Sequence, residues 1–201
     1  YHNVISWTAM LSAYVDRAEG IKALLLYRQM SEQGVKSDHL TFMLAIQACT
    51  IIVESDESLK EIALEIGYAL HSEAVRKSLI FDPFLSNTLV NMYGRCGSSI
   101  AEAEHVFHTL LHKDIVTWNT MLSAYVEQGQ GARALQLYRQ MHEEGVKTDI
   151  LSITIALRAC TLLVITALEI GEGLHSDARK KCFDSDIFLG NALIHMYTKF
   201  G

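Results

Sequence analysis

The chain has 201 residues, of which half are hydrophobic and a fifth are charged, and it contains a single proline. This composition excludes a disordered tail, and the scarcity of proline favours an all-helical fold. The formal net charge of −6 is opposite in sign to that of most nucleic-acid-binding proteins, although the charge along a binding face matters more than the total. No run of about 18 apolar residues occurs, so no membrane-spanning helix is predicted.

Helical periodicity recurs along the chain. In Ile21–Gln33 the apolar residues return at three- and four-residue steps, which is typical of an amphipathic helix, and Gly34 follows where a helix would end. The segment Ile100–Leu111 has the same pattern. Aspartates stand directly before new apolar runs, where a carboxylate can cap a helix. These aspartates are Asp38, Asp82, Asp114, Asp149 and Asp186. We count eleven helices, which form five hairpins and the first helix of a sixth.

The chain also repeats itself at long range. Trp7–Val15 matches Trp118–Val126, 111 positions later, whereas Leu70–Ser72 matches Leu174–Ser176 after only 104 positions. The first copy therefore holds about seven extra residues near Val53–Leu59, of which Glu54–Ser58 are polar and are interpreted as a loop extension. A period of 111 suits three helical hairpins of unequal length. Such hairpins bury their apolar faces by stacking on their neighbours, so an α-solenoid is predicted.

Several segments resemble pentatricopeptide repeats: Val4–Tyr14, Ala23–Met30 and Gly34–Asp38. Phe84–Gly97 is similar to the S repeat of the PLS subclass of land plants, and Ala48–Cys49 with the later His71 is similar to its L repeat. The resemblance implies an all-α, right-handed solenoid of stacked helix-turn-helix repeats with a concave inner surface. Tetratricopeptide repeats, whose members bind proteins, are the nearest other family, but they have a different Trp, Gly and Pro pattern.

The resemblance covers nearly the whole chain, residues 1–201, as one repeat array. It divides the chain into a P repeat (4–38), an L repeat (39–82), an S repeat (83–114), a second P repeat (115–149), a second L repeat (150–186) and a partial S repeat (187–201). Ser37 and Thr148 stand where the family usually has proline, and Ser98–Ser99 adds one residue to the S repeat. These departures affect the repeat boundaries more than the inner surface.

In the resembling family the fifth and last residues of a repeat recognise one RNA base, and the apolar second residue stacks on it. The implied pairs of the P and S repeats are Thr8 with Asp38, Asn87 with Asp114, and Asn119 with Asp149. The L repeats offer Met43 with Asp82 and Thr154 with Asp186, which are expected to read weakly, and Asn191 has no partner within the chain. The implied stacking residues are Ile5, Phe84 and Val116.

By the family's preferences, Thr with Asp favours G and Asn with Asp favours U, so the predicted site is G-n-U-U-n, followed by a pyrimidine. Arg95 and Lys199 are candidates for phosphate contacts, whereas Asp16 and Glu127 at the matching P-repeat positions would repel phosphate. The residue pattern alone favours a simpler interpretation, in which each aspartate is only a helix cap.

Other kinds of site have weaker support. His105, His108 and His112 have spacing that could bind zinc, but a solvated helix face is favoured. The two tryptophans, Trp7 and Trp118, are assigned to the core. The four cysteines are far apart in sequence and form no CxxC motif, which favours a reducing compartment with buried or idle thiols. No motif for catalysis occurs and no cofactor is implied, so the chain is predicted not to be an enzyme.

The sequence therefore predicts a selective single-stranded RNA binder that serves as a specificity factor in organelle RNA processing, such as C-to-U editing. The chain opens and stops within the repeat pattern, so we expect a fragment of a longer plastid or mitochondrial protein whose transit peptide lies outside it. Other RNA-processing proteins are candidate partners, and a homodimer is left open. The alternative is a protein–protein interaction scaffold with little RNA binding of its own. A basic stripe along the inner surface would favour RNA.

Overall fold

The computed structural model describes residues 3–97, 100–110, 112–163 and 167–200, and within these ranges the chain forms eleven α-helices and no β-strand. The predicted helix number and the all-α fold are confirmed. The helices are α1 (Val4–Asp16), α2 (Gly20–Glu32), α3 (His39–Ser55), α4 (Lys60–Arg76), α5 (Pro83–Cys96), α6 (Ala101–Thr109), α7 (Ile115–Glu127), α8 (Gly131–Glu143), α9 (Ile150–Thr161), α10 (Ala167–Lys180) and α11 (Ile187–Phe200). The predicted extra residue at Ser98–Ser99 and the predicted helix end at Leu111 lie outside the described residues.

The helices belong to two compact units, Tyr1–His112 and Lys113–Gly201. In the first unit the leading helices of successive hairpins, α1, α3 and α5, pack against one another in order, and each also packs on the second helix of its own hairpin. In the second unit α7, α9 and α11 also pack against one another in order, and α7 and α9 pack on the second helices of their hairpins, α8 and α10. Within each unit the helical hairpins therefore stack as predicted. The division into P, L and S repeats stays a prediction.

The ends of the helices follow from local chemistry. All five predicted aspartate caps are present, and each carboxylate accepts a hydrogen bond of 2.8–2.9 Å from the backbone N–H three residues later. These bonds satisfy N–H groups that have no partner inside the helix. Gly34 follows α2 with φ of 71°, as the predicted helix stop requires, and Gly145 follows α8 with φ of 76°.

The insertion in the first copy differs from the predicted loop. Helix α3 continues through Ser55, and a short 3-10 helix then covers Glu57–Leu59, so only Asp56 of this stretch lies outside a helix. The reason is local capping, because the Asp56 carboxylate accepts a hydrogen bond of 2.9 Å from the Ser58 N–H. The insertion is therefore ordered by its own side chains.

Large aromatic residues fill the interior of both units. Trp7 and Trp118 are buried, which confirms their assignment to the core. A histidine–tyrosine hydrogen bond then joins hairpin to hairpin: His71 Nδ1 in α4 lies 2.8 Å from the hydroxyl oxygen of Tyr93 in α5. Burial lowers the pKa of His71 below its ordinary value of 6.5, and the neighbouring His105 lowers it further.

We expect the free energy of unfolding to fall as the pH drops through about 6.5. The unfolded chain binds a proton at His71 more readily than the folded chain does, so stability is present above this pH and is lost below it. Urea unfolding at about pH 5.5 and about pH 7.5 measures the difference. Tyr93→Phe serves as the control. It should cost about 1 kcal/mol at both pH values and keep the pH dependence, because the histidine stays buried. A flat profile for the wild-type chain would contradict this account.

Candidate functional site

Exposed apolar residues mark the N-terminal ends of the leading helices. The second residue of each of these helices is apolar, and between 41 and 78% of it is exposed. These six residues are Ile5, Leu40, Phe84, Val116, Leu151 and Phe188. Sequence analysis named three of them and missed Leu40, Leu151 and Phe188, although the same repeat register would have found them. A regular row of exposed apolar side chains within each unit is typical of a binding surface rather than of a core.

The polar residue three positions later is best ordered in α7. Asn119 is 95% buried, since only 5% of it is exposed. Its amide nitrogen donates a hydrogen bond to Asp149 Oδ1 at 3.1 Å, and its amide oxygen lies 2.7 Å from the Ser152 hydroxyl, which can donate to it. The amide is therefore held in one orientation. It keeps a second N–H and a second oxygen lone pair for another partner.

The same cluster sets the charge of Asp149. Partial burial works to raise the pKa of this carboxyl, but the hydrogen bonds from the Ser152 backbone, the Ser152 hydroxyl and Asn119 outweigh burial and lower it. Asp149 is therefore a carboxylate at neutral pH, and it caps α9 while orienting Asn119. Of the three predicted P- and S-repeat pairs, this is the one that the structure joins by a direct hydrogen bond within one unit.

The first P-repeat pair is arranged differently. The Thr8 hydroxyl donates to the Val4 carbonyl oxygen at 2.8 Å, and the exposed Asp38 caps α3. Within the described part of the chain these two side chains share no hydrogen bond. Because a hydroxyl oxygen that donates still has lone pairs, Thr8 remains able to accept a hydrogen bond.

Asn87 and Asp114 belong to different compact units. The amide oxygen of Asn87 is buried and accepts no hydrogen bond from the residues that the structure describes. Such an acceptor is costly to leave without a partner, so it favours a polar ligand or an ordered water at this position. Asp114 caps α7 and accepts bonds of 2.8 Å from both the backbone N–H and the hydroxyl of Thr117.

The second L-repeat pair lies in a pocket between α9 and α11. Thr154 and Asp186 both line this pocket, which has a volume of about 530 Å³ and has Leu151 and Phe188 among its walls. Phe183 also lines it, and sequence analysis did not name this residue. Asp149 lines the pocket too, which thus combines apolar surfaces with three polar groups, as small-ligand sites commonly do. Met43 of the first L repeat is half-buried in α3, and Asn191 is exposed in α11.

Both candidate phosphate contacts have internal partners. The Arg95 guanidinium forms an ion pair with Glu54, and the Lys199 ammonium donates to the Thr161 carbonyl oxygen. At the matching P-repeat positions Asp16 and Glu127 are exposed. At these positions the described residues do not form a basic stripe.

The remaining candidate sites are simple to place. His105, His108 and His112 are exposed, as a solvated face requires, and the described residues contain no group of three side chains suited to a metal ion. Burial raises the pKa of Cys49 to about 12 and the pKa values of Cys96 and Cys160 to about 11, so these thiols are protonated and unreactive. No helix in the described ranges is long and apolar enough to span a bilayer.

Comparison with known proteins gives a consistent result. A model of the PPR repeat matches residues 5–35, and a model of the PPR repeat family matches residues 113–161. A chloroplastic pentatricopeptide repeat-containing protein of Arabidopsis thaliana is 32% identical over 196 residues, which is 98% of this chain and 34% of the relative. A second Arabidopsis thaliana protein of this name is 30% identical over 199 residues, 99% of this chain and 21% of the relative.

The fold is similar to a solved structure as well. The crystal structure of the pentatricopeptide repeat protein PPR10 from maize has a TM-score of 0.59 at 15% sequence identity. The match covers 99% of this chain and 32% of the maize chain. This chain therefore spans about a fifth to a third of the length of these known proteins.

Proposed function

We propose that this chain, which belongs to the pentatricopeptide repeat family, binds single-stranded RNA at the N-terminal ends of its leading helices. The observation that carries the proposal is the exposed apolar residue at the same repeat position in all six leading helices, three of which lie in each compact unit. Bases have flat apolar faces, and stacking on side chains contributes about 1–3 kcal/mol per base without selecting sequence. The residue three positions later, which is polar in five of the six leading helices and is Met43 in α3, then supplies the selectivity where it is polar.

The finer proposal is that each repeat reads one base and that the array is of the PLS type. The pair Asn119 and Asp149 supports it, because the Asp149 carboxylate orients the nearly buried Asn119 amide. The amide then presents a donor and an acceptor in fixed positions to a base edge. Asn87 offers the same amide, and Thr8 offers a hydroxyl. The pocket around Thr154 and Asp186 extends the proposal to the second L repeat.

For the full-length protein we propose a role as a specificity factor in organelle RNA processing, with C-to-U editing as the favoured reaction. The support is the PLS resemblance and the word chloroplastic in the names of several relatives. This chain would supply recognition, and any chemistry would belong to other domains or partner proteins. The compartment is a plastid or a mitochondrion.

Fluorescence anisotropy with a short labelled RNA tests the proposal. We expect a strand containing G-n-U-U-n to bind more tightly than strands in which each named base is changed. The affinity should depend only weakly on salt concentration, because Arg95 and Lys199 have internal partners. For a single strand, the logarithm of the affinity falls by about 0.7 per phosphate contact for each tenfold rise in salt concentration. Equal affinity for all strands would argue against base reading, and no binding at low salt would argue against RNA as the ligand.

The second candidate is a protein-binding scaffold, and the exposed Asp16 and Glu127 favour it. Acidic side chains at the C-terminal ends of α1 and α7 would attract a basic polypeptide. The RNA titration separates the two functions, since a scaffold would show neither base preference nor dependence on Asn119.

A further inference from the structure

An apolar groove lies between α2 and α4 in the first unit, away from the N-terminal ends of the leading helices. Its volume is about 620 Å³. Helix α2 contributes Ile21, Leu24, Leu25, Tyr27 and Arg28, and α4 contributes residues at similar helical steps, including Ile62, Ile66 and Leu70. More than half of Ile21, Leu25 and Ile62 is exposed to solvent. Three large apolar residues that line one groove are thus exposed to solvent.

The second copy of the internal repeat shows that packing of its helix α8 does not require large apolar residues at the positions of Ile21 and Leu25. At the positions equivalent to Ile21 and Leu25, helix α8 has Ala132 and Gln136, and Thr166 is the equivalent of Ile62 in sequence. Helix α8 nevertheless packs on α7 and α9 as α2 packs on α1 and α3. The exposed apolar residues of the first copy are therefore available for a purpose other than folding.

The insertion in the first copy reaches the same groove. Its 3-10 helix ends at Leu59, and Leu59 lines the groove. A smaller pocket that continues the groove toward the start of α2 is lined by Asp56, Ile21 and Leu59. Two independent departures from the internal symmetry, the insertion and the exposed apolar residues, meet at one surface.

The charge beside the groove is acidic. Asp56, Glu57, Glu61 and Glu65 lie in the insertion and the first two turns of α4, where Lys60 is the one basic residue, and within the described ranges none of the four carboxylates forms an ion pair. Asp56 lines the smaller pocket, and the three glutamates lie within two residues in sequence of residues that line the groove. On the opposite wall the basic side chains are already neutralised. Lys22 pairs with Glu19, and Arg28 pairs with Glu32. A ligand of complementary charge is therefore basic.

We propose that this groove binds an amphipathic α-helix of a partner protein, with an apolar stripe flanked by lysine or arginine. Both walls present apolar side chains at three- and four-residue steps, which is the pattern that receives the ridge of a third helix. The wall from Leu59 to Glu73 is about 21 Å long at 1.5 Å per residue, so it accommodates a helix of about four turns. This site is separate from the RNA surface and does not depend on RNA binding.

A synthetic peptide serves as the probe. It has four helical turns, with leucine at the first and fourth positions of each heptad and lysine on both flanks. A second peptide of the same composition has its leucines rearranged to alternate, and a third has glutamate in place of lysine. We expect the first peptide to bind the wild-type chain in fluorescence anisotropy, and the other two to bind at least about tenfold more weakly.

The matched variant is the triple substitution Ile21→Ala, Leu25→Gln and Ile62→Thr, which introduces the residues of the second copy. It should fold normally, and it should weaken binding of the first peptide by about tenfold or more. Unchanged peptide affinity in this folded variant, or equal binding of the rearranged peptide, overturns the proposal. Self-association of the wild-type chain that the variant abolishes would instead make a second copy the occupant. RNA affinity measured on the same samples tests the RNA function separately.

Discussion

Asn119→Ala is expected to lower the affinity for an RNA with U at the matching position by roughly tenfold or more, because a bidentate contact to a base edge contributes about 1–3 kcal/mol. The wild-type amide is held by Asp149 and Ser152, so it meets the base without a further loss of side-chain freedom. Alanine removes both the donor and the acceptor. The preference for U over the other bases at this position should disappear with them.

The variant should remain folded. When the Asn119 amide is removed, the Ser152 hydroxyl still lies 2.7 Å from Asp149 Oδ1, and the Asp149 carboxylate still accepts a hydrogen bond of 2.8 Å from the Ser152 N–H. The cap of α9 therefore survives. Thr120→Ala is the matched control, since among the residues that the structure describes this neighbouring hydroxyl bonds only to the Val116 carbonyl oxygen of its own helix. It should leave the RNA affinity unchanged.

Asn119→Thr extends the test from affinity to specificity. The substitution recreates the Thr and Asp combination of the first P repeat, which the family resemblance associates with G. We expect the preferred base at this position to change from U to G in competition anisotropy. A variant that keeps its preference for U would show that Asn119 is not the reading residue, whatever the affinity.

Some parts of the site could be predicted from sequence because the physics is local. A carboxylate three residues before a free N–H forms a cap at Asp38 or Asp186 without help from distant residues. The exposed second residues of the leading helices are equally accessible to sequence analysis. The repeat register that identifies Ile5, Phe84 and Val116 also identifies Leu40, Leu151 and Phe188.

The contacts between hairpins could not be predicted. Ser152 is a common third residue of a capped helix, and nothing in its position indicates that its hydroxyl reaches Asn119 in another hairpin. The pairing of Arg95 with Glu54 depends on the insertion, which brings an acidic residue to the end of α3. The sequence pattern assigned Arg95 to phosphate because only its own helix was considered.

Gly131→Ala is expected to lower the free energy of unfolding by about 1–3 kcal/mol, as overpacking typically does. A methyl group added at Gly131 would lie 2.5 Å from the Ala159 carbonyl oxygen and 2.8 Å from Leu162 Cβ. The carbonyl belongs to α9 and cannot rotate away, so α8 would have to move from α9. In the first unit Gly20 faces Ala48 in the same way, at 2.6 Å.

Two glycines of a different helix, α10, provide graded controls in urea unfolding. A methyl group at Gly171 would meet only the flexible end of Met196, at 2.6 Å, so Gly171→Ala should cost less. Gly173 has open space around it, and alanine there should stabilise the chain by up to about 1 kcal/mol through helix propensity. If all three variants had the same free energy of unfolding, α8 would be able to move away from α9 without a loss of stability. Because Asp149 caps α9, a shift of α9 in the Gly131→Ala variant should also disturb the contact with Asn119, so loss of stability and loss of base preference are expected together.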